Sequence, residues 1–368
     1  MGMSLPSNPV AAASQFEIMG QVQSVEPYGS GHINDTYRVS STHNHEETRF
    51  ILQRINHNIF KNPTALMENI ARVTTHVSTQ VADHPDAARR ALTLIPTRQG
   101  TSCLHYEAGN WWRMYPFIER SRSYDAVETP RQAFQAAYAF GQFQQQLATL
   151  PAPRLHDTIP DFHHTPRRFA NFAAALAADT HNRAAEAAPE IAFALAHESI
   201  TGVLLNANLP ERVTHNDTKF NNVLLDDQSG EGLCVIDLDT VMPGLVLYDF
   251  GDMVRTATSP AMEDERDLSR VTMRMPFFEA LVQGYLEAAS TFLTPAEKRF
   301  LAFSGKLITY EIGLRFLTDY LAGDTYFKVH HPGHNLDRCR TQFKLVQSIE
   351  EQEESMQAFV VRVESGCS

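Results

Sequence analysis

Arg212-Val213-Thr214-His215-Asn216-Asp217-Thr218-Lys219-Phe220-Asn221-Asn222-Val223-Leu224-Leu225, then Leu233-Cys234-Val235-Ile236-Asp237-Leu238-Asp239, is a β-rich island in a part of the chain that otherwise reads as helix. Its Val and Leu runs suit strands, because branched and aliphatic side chains fit a pleated, half-buried surface. The polar loop between the runs carries His215, Asp217, Lys219 and Asn222, and the second apolar run ends in Asp237, 15 residues after Asn222.

Those residue types in that order point to one chemistry. Phosphoryl transfer needs a carboxylate to orient and deprotonate the attacking hydroxyl, and oxygen ligands to hold magnesium on the β- and γ-phosphates. Asp217, Asn222 and Asp237 supply those groups, spaced as H-x-D-x-x-x-x-N followed by a strand-end Asp. The competing reading, in which His215 and Asp217 merely hydrogen-bond a turn and Asp237 caps a loop, leaves unexplained why so many elements of the phosphoryl-transfer template coincide. Downstream, Tyr248-Asp249-Phe250-Gly251-Asp252 contains a literal Asp-Phe-Gly, but Asp249 lies 27 residues after Asn222 and follows Pro243-Gly244. Magnesium is therefore assigned to Asp237, and Asp249 is read as a structural group bonding backbone around the loop.

Upstream of the island the chain divides in two. Gln21 to Tyr28, Thr36 to Val39 and Arg49 to Ile55 form a three-strand meander with glycines in its first turn. A helix over Thr64–Val81 follows, with Leu66, Ile70, Val73 and Val77 at three- and four-residue intervals, and then strands over Thr93–Pro96 and Trp111–Ile118. From about residue 130 helices are predicted over Gln132–Leu150, from a Thr165 cap with Pro166 to Asp179, over Ala184–Glu198, and from Thr294 to Leu321. These elements read as α+β, and the resemblance of the island to the catalytic loop of eukaryotic-type kinases implies a protein-kinase-like, two-lobed fold. Residues 1–118 make a small antiparallel-sheet nucleotide lobe, and residues 119–368 a larger helical catalytic and substrate-binding lobe.

Composition excludes several other readings. A net charge of −12 over 368 residues lacks the basic footprint of a nucleic-acid or membrane-surface binder. Cys103, Cys234, Cys339 and Cys367 lie far apart, as reduced thiols do, and no run of apolar residues is long enough to span a bilayer, so a cytoplasmic monomer is expected. The dense His43-Asn44-His45 and His330-His331-Pro332-Gly333-His334 segments lack the H-E-x-x-H spacing that sets two ligands on one helix face, so no transition metal is assigned there.

The island and the later Asp249 together resemble the aminoglycoside phosphotransferase and choline kinase superfamily. Glu26 to Asn34, Phe50 to Arg54, Val213 to Leu225, Asp237 to Gly244 and Gly313 to Leu321 resemble, more closely, the bacterial N-acetylhexosamine 1-kinases. That resemblance implies ATP as co-substrate, Mg2+, and transfer to the anomeric hydroxyl of N-acetylglucosamine or N-acetylgalactosamine. Asp217 is then the base, Asn222 and Asp237 the magnesium ligands, and Lys219 reaches towards the γ-phosphate. Gly29 and Gly31 lie over the phosphates, while His32 and Asn34 reach sugar or phosphate. Met114 to Ile118, including Tyr115 and Phe117, forms the hinge that reads adenine.

One departure concerns the lysine that protein kinases carry on the third strand. Gln53 takes its place by spacing, whereas the charge sits on Arg54, and strand alternation points the two to opposite faces. On the late helix, Glu311, Arg315 and Asp319 form a four-residue stripe among apolar residues; buried charges need partners, so Arg315 and Asp319, with Tyr326 by the family match, are assigned to substrate. Two alternatives compete with the sugar kinase. A kinase for choline, an amino alcohol or an aminoglycoside would place a cationic acceptor against Arg315, and a non-catalytic binding module would be expected to have lost one of Asp217, Asn222 and Asp237.

Overall fold

The computed structural model describes residues 8–29, 33–106 and 109–366. Strands β1 (Gln21–Pro27), β2 (Asp35–His43), β3 (Glu46–Ile55), β4 (Leu104–His105) and β5 (Trp111–Pro116) form one antiparallel sheet in the order β1-β2-β3-β5-β4. The β2–β3 hairpin closes on Asn44 and His45, both at positive φ, the backbone that a two-residue turn matching strand twist requires. Phe50, Leu52, Trp112 and Met114 alternate onto one face, where a short helix, Pro9–Ala13, and Phe16 cover them. The helix Pro63–Gln80 lays Leu66, Ile70, Val73 and Val77 into the main core. Thr93–Pro96 is extended but not a strand: Ile95 donates one backbone hydrogen bond to Met114, and Pro96 has no N–H with which to continue a ladder.

The rest is mainly helical. Pro130–Leu147 packs on Met275–Ala289, and Leu301–Leu321 runs through the lobe against Val246–Ala257 and His334–Glu350. Two helix starts differ from expectation. His164, not Thr165, caps the helix Thr165–Ala178, with its ring nitrogen accepting from the Arg167 N–H at 3.1 Å, because the Thr165 hydroxyl is taken by Glu311. Thr294 does cap a helix, with Glu297 reciprocating, but that helix ends at Arg299 and the chain restarts at Leu301.

Set into this lobe is the β-rich island. β6 (Ser121–Arg122), β8 (Val223–Asp226) and β9 (Gly232–Val235) form a three-stranded sheet, and β7 (Arg212–Thr214) pairs with β10 (Met242–Gly244). A side chain at Gly244 would meet the Thr214 hydroxyl at 2.5 Å, so only glycine lets β10 approach the base of the loop this closely. Together the elements make a protein-kinase-like α+β fold with an antiparallel-sheet N-terminal lobe and a helical C-terminal region. No helix of the described residues is long and apolar enough to cross a membrane.

Candidate active site

The loop between β7 and β8 is held from below by one carboxylate. Asp249, at the start of the helix Val246–Ala257, accepts the backbone N–H of His215 at 2.8 Å and of Asn216 at 2.6 Å, and the Gln144 amide at 2.6 Å. Its own carbonyl takes the Thr218 hydroxyl at 2.6 Å. Burial raises its pKa despite these bonds. The Asp of the literal Asp-Phe-Gly is thus a loop anchor. His215 ties the loop to the second strand, with Nε2 donating to the Ile236 carbonyl at 2.9 Å while Nδ1 accepts the Asp217 N–H at 3.3 Å. Asn216 sits at a φ of 66°, paid for by side-chain bonds to the Thr214 hydroxyl and the Thr240 carbonyl.

These anchors bring four expected residues together. Lys219 Nζ lies 2.9 Å from Asp217 Oδ1, and the Asn222 amide donates to the Asp217 carbonyl at 2.8 Å and to Oδ2 at 3.2 Å. The cleft's desolvation acts to raise Asp217, but Lys219 outweighs it and holds the carboxyl below its ordinary value; Asp217 in turn pushes Lys219 up to about 12. Behind them the buried Arg255–Asp252 pair, 2.8 Å apart, adds charges of both signs. Asp237 closes the group, left-handed at φ 58° and exposed. Desolvation, with the Asp239 and Asp217 carboxylates, pushes it up to about 6. Crowded carboxylates, with an asparagine whose N–H side faces Asp217 and whose oxygen therefore faces away, fit a hard divalent cation held by Asn222 and Asp237.

The nucleotide side is rearranged relative to expectation. Gly29 is left-handed at φ 81° with open space where a side chain would stand, as suits a backbone that approaches phosphate. Gly31 and His32 lie outside the described residues. Asn34 does not face a ligand: its amide donates to Asp239 Oδ2 at 2.5 Å and its oxygen accepts the Asn56 N–H at 2.9 Å. Arg54 turns outward into an ion pair with Asp35, their side chains 37% and 47% exposed, because alternation sends it to the opposite face from Gln53. Gln53 faces inward and accepts Arg113 Nε at 2.9 Å. Tyr115 is buried in the main core, and Phe117 packs edge-on to Tyr28 beneath Arg49. Sequence reasoning missed Arg113, fully buried and ion-paired with Asp239. Its signal was a cation inside the apolar run Trp111–Ile118, since buried arginines are rare unless paired.

The Glu311–Arg315–Asp319 stripe separates into three roles. Glu311 accepts His163 Nδ1 at 2.8 Å and the Thr165 hydroxyl at 2.6 Å, while His163 Nε2 donates to the Asn216 carbonyl at 3.0 Å. Both ring nitrogens face acceptors, so His163 is held as imidazolium: burial works against its charge, and Glu311 raises its pKa regardless. Asp319 is committed within the fold, accepting the N–H groups of Thr325, Tyr326 and Phe327 at 2.8–2.9 Å and the Asn335 amide at 2.9 Å. It therefore fixes residues 325–327 and has its oxygens taken by protein donors. Arg315 has no hydrogen bond or ion pair to any described residue; its guanidinium lies 5.2 Å from the Phe162 ring, 5.9 Å from Tyr326 and 5.6 Å from Phe327. Asp264, His331 and His334 converge within 4.8 Å, a grouping their spacing in sequence did not show.

The fold, with the lysine-paired Asp217 beside Asn222 and Asp237, is that of a small-molecule phosphotransferase. The chain belongs to the phosphotransferase enzyme family of the aminoglycoside phosphotransferase and choline kinase superfamily, which it matches over residues 24–300. It is similar in fold to a microcompartment-associated aminopropanol kinase (15% identity, 95% of this chain and 97% of that one, TM-score 0.61). It is also similar to an aminoglycoside phosphotransferase from Alicyclobacillus acidocaldarius (13% identity, 98% and 97%, TM-score 0.55). A spectinomycin phosphotransferase in complex with ADP and spectinomycin is a third (12% identity, 91% and 94%, TM-score 0.52).

Proposed function

We propose that the protein is an ATP- and Mg2+-dependent kinase that phosphorylates the anomeric hydroxyl of N-acetylhexosamines, giving the sugar 1-phosphate. Within this reading Asp217 accepts the hydroxyl proton and orients the oxygen for in-line attack, and Lys219 keeps Asp217 ionised from 2.9 Å while facing the transferred group. Asn222 and Asp237 would hold magnesium, which when bound offsets charge on the β- and γ-phosphates. Gly29 offers backbone to the phosphates. Catalysis rests on positioning and charge compensation, with no covalent enzyme intermediate.

The observation that carries the acceptor class is Arg315, a guanidinium unpaired among the described residues and ringed by Phe162, Tyr326 and Phe327. Aromatic faces suit the apolar face of a sugar ring, and a guanidinium suits hydroxyl or acetamido oxygens. A protonated amine acceptor would be repelled there, and the nearby Arg168, whose pKa is lowered by burial and by Arg315, adds to the same sign. The N-acetyl sugar itself comes from the sequence resemblance. Incubation with ATP, Mg2+ and a panel of N-acetylglucosamine, N-acetylgalactosamine, glucose, galactose, choline, 1-amino-2-propanol and kanamycin, read by phosphorus NMR, tests it. The expected product is a 1-phosphate of an N-acetyl sugar; phosphorylation of the amines alone would overturn the reading.

A further inference from the structure

Gln53 and Arg113 face each other as direct partners across β3 and β5. Gln53 occupies the place where the kinase template carries its lysine, so the positive charge stands on the adjacent strand, one residue-width away. Arg113 is fully buried, and its guanidinium is fixed on two sides: Nε donates to Gln53 Oε1 at 2.9 Å, and Nη1 bonds Asp239 Oδ1. Gln53 is itself held by the Thr36 hydroxyl at 3.1 Å. Asp239 uses its second oxygen for Asn34, at 2.5 Å, and its carbonyl accepts the Thr158 hydroxyl at 3.0 Å from the helical lobe. Residues of β2, β3 and β5 thus converge through one cation, and the β1–β2 turn directly, on Asp239, which lies in the short turn Leu238–Thr240 that Asp237 opens.

Stability alone does not account for this arrangement. A buried ion pair recovers little more than its desolvation cost, and apolar residues of similar volume are often as stabilising or more so. What such a pair does supply is a fixed geometry. We propose that Arg113 is a positioning residue for the metal–nucleotide site: through Asp239 it sets the Asp237–Asp239 turn against the sheet, so that Asp237 and Asn222 meet the same cation while Gly29 covers the phosphates. The template's β3 lysine pairs with the α- and β-phosphates; here β5 supplies a cation with a different task, the link from the sheet to the Asp237–Asp239 turn. Because the guanidinium is enclosed and both its named partners are protein groups, it acts through Asp239 and not by touching phosphate.

The proposal rests on the nucleotide-binding reading of the cleft, and the experiment separates the two. Calorimetry measures ADP affinity with and without Mg2+ for the wild type, for the apolar replacement Arg113→Met/Asp239→Leu, and for Arg113→Lys, with thermal melting alongside. The wild type is expected to bind ADP more tightly with Mg2+. The double variant should melt at or above the wild-type temperature, keep its metal-free ADP affinity, and lose the Mg2+ enhancement; kcat/KM for ATP should fall by about 100-fold, the cost of a displacement of about 1 Å at a reacting centre. KM for the sugar should stay within about twofold, since nothing in its wall has moved. Arg113→Lys, which keeps the charge but loses the Gln53 bond, should fall between the two, and it carries the test if the double variant does not fold. Retention of the Mg2+ enhancement in a folded variant would overturn the role of Arg113. Absence of any ADP binding by the wild type would instead overturn the nucleotide-binding reading.

Discussion

Residues 24–300, which match the phosphotransferase family, and the helix Leu301–Leu321 that follows them treat charge in opposite ways. In the first region the cleft charges are tied to one another: Lys219 to Asp217, Arg113 to Asp239, Arg255 to Asp252. In the second, Glu311 and Asp319 are committed to protein partners, while Arg315 meets only aromatic rings among the described residues. Paired charges set up chemistry that any acceptor can use. An unpaired guanidinium in an aromatic setting selects what comes in, because an amine and a carbohydrate differ most in how they meet it. On the proposed reading, transfer and selection lie in different stretches of chain.

Removing the base should break the first region. Asp217→Asn is expected to lower kcat by about 10³-fold while leaving ADP binding within a few-fold, measured by coupled assay and calorimetry. If kcat survives, the carboxylate is not the proton acceptor. The second region should fail in a different parameter. Arg315→Met is expected to raise KM for the N-acetyl sugar about 10- to 100-fold, as loss of a charge-assisted hydrogen bond does, with KM for ATP unchanged. An equal change in both constants would merge the two regions.

Between them stands the His163–Glu311 pair, where the sign can be worked out. His163 is raised above its ordinary 6.5, so its contribution is full below that pH and is lost as pH rises through the folded value. Glu311 is lowered from 4.5, so its contribution is present above that pH and lost as pH falls through its folded value. The melting-temperature gap between wild type and His163→Gln should therefore be widest between about 4.5 and 6.5 and narrow on both sides. A gap independent of pH would mean the ring is neutral. The smallest effect belongs to Arg54→Gln: an exposed ion pair contributes about 0–1 kcal/mol, and ATP kinetics should not change. A rise in KM for ATP would return Arg54 to the cleft.

The catalytic loop was legible because its chemistry is local: His215, Asp217, Lys219 and Asn222 lie within eight residues, and one strand leads to Asp237. The sheet and most helices were legible from period and caps. What escaped was settled by partners far away in sequence. Gln53 and Arg54 could not be ranked without Arg113 and Asp35, and Asn34 was assigned to ligand because Asp239, 205 residues on, could not be seen to claim it. The Glu311–Arg315–Asp319 stripe showed that three charges shared a helix face, not that two of them were already satisfied. Helical spacing reports a direction, and only the tertiary neighbours report whether a group is still available.

Asp319 has a consequence of its own. By gripping the N–H groups of residues 325–327 it fastens Tyr326 and Phe327 beside the residue one helical turn before it, Arg315, so the guanidinium and two of its three aromatic neighbours travel as one cassette of about a dozen residues, while Phe162 reaches them from a distant stretch of chain. Grafting Arg315 alone onto a relative would transplant a charge without its setting. On the proposed reading, an exchange of acceptor would have to carry the cassette and the residue at position 162 together.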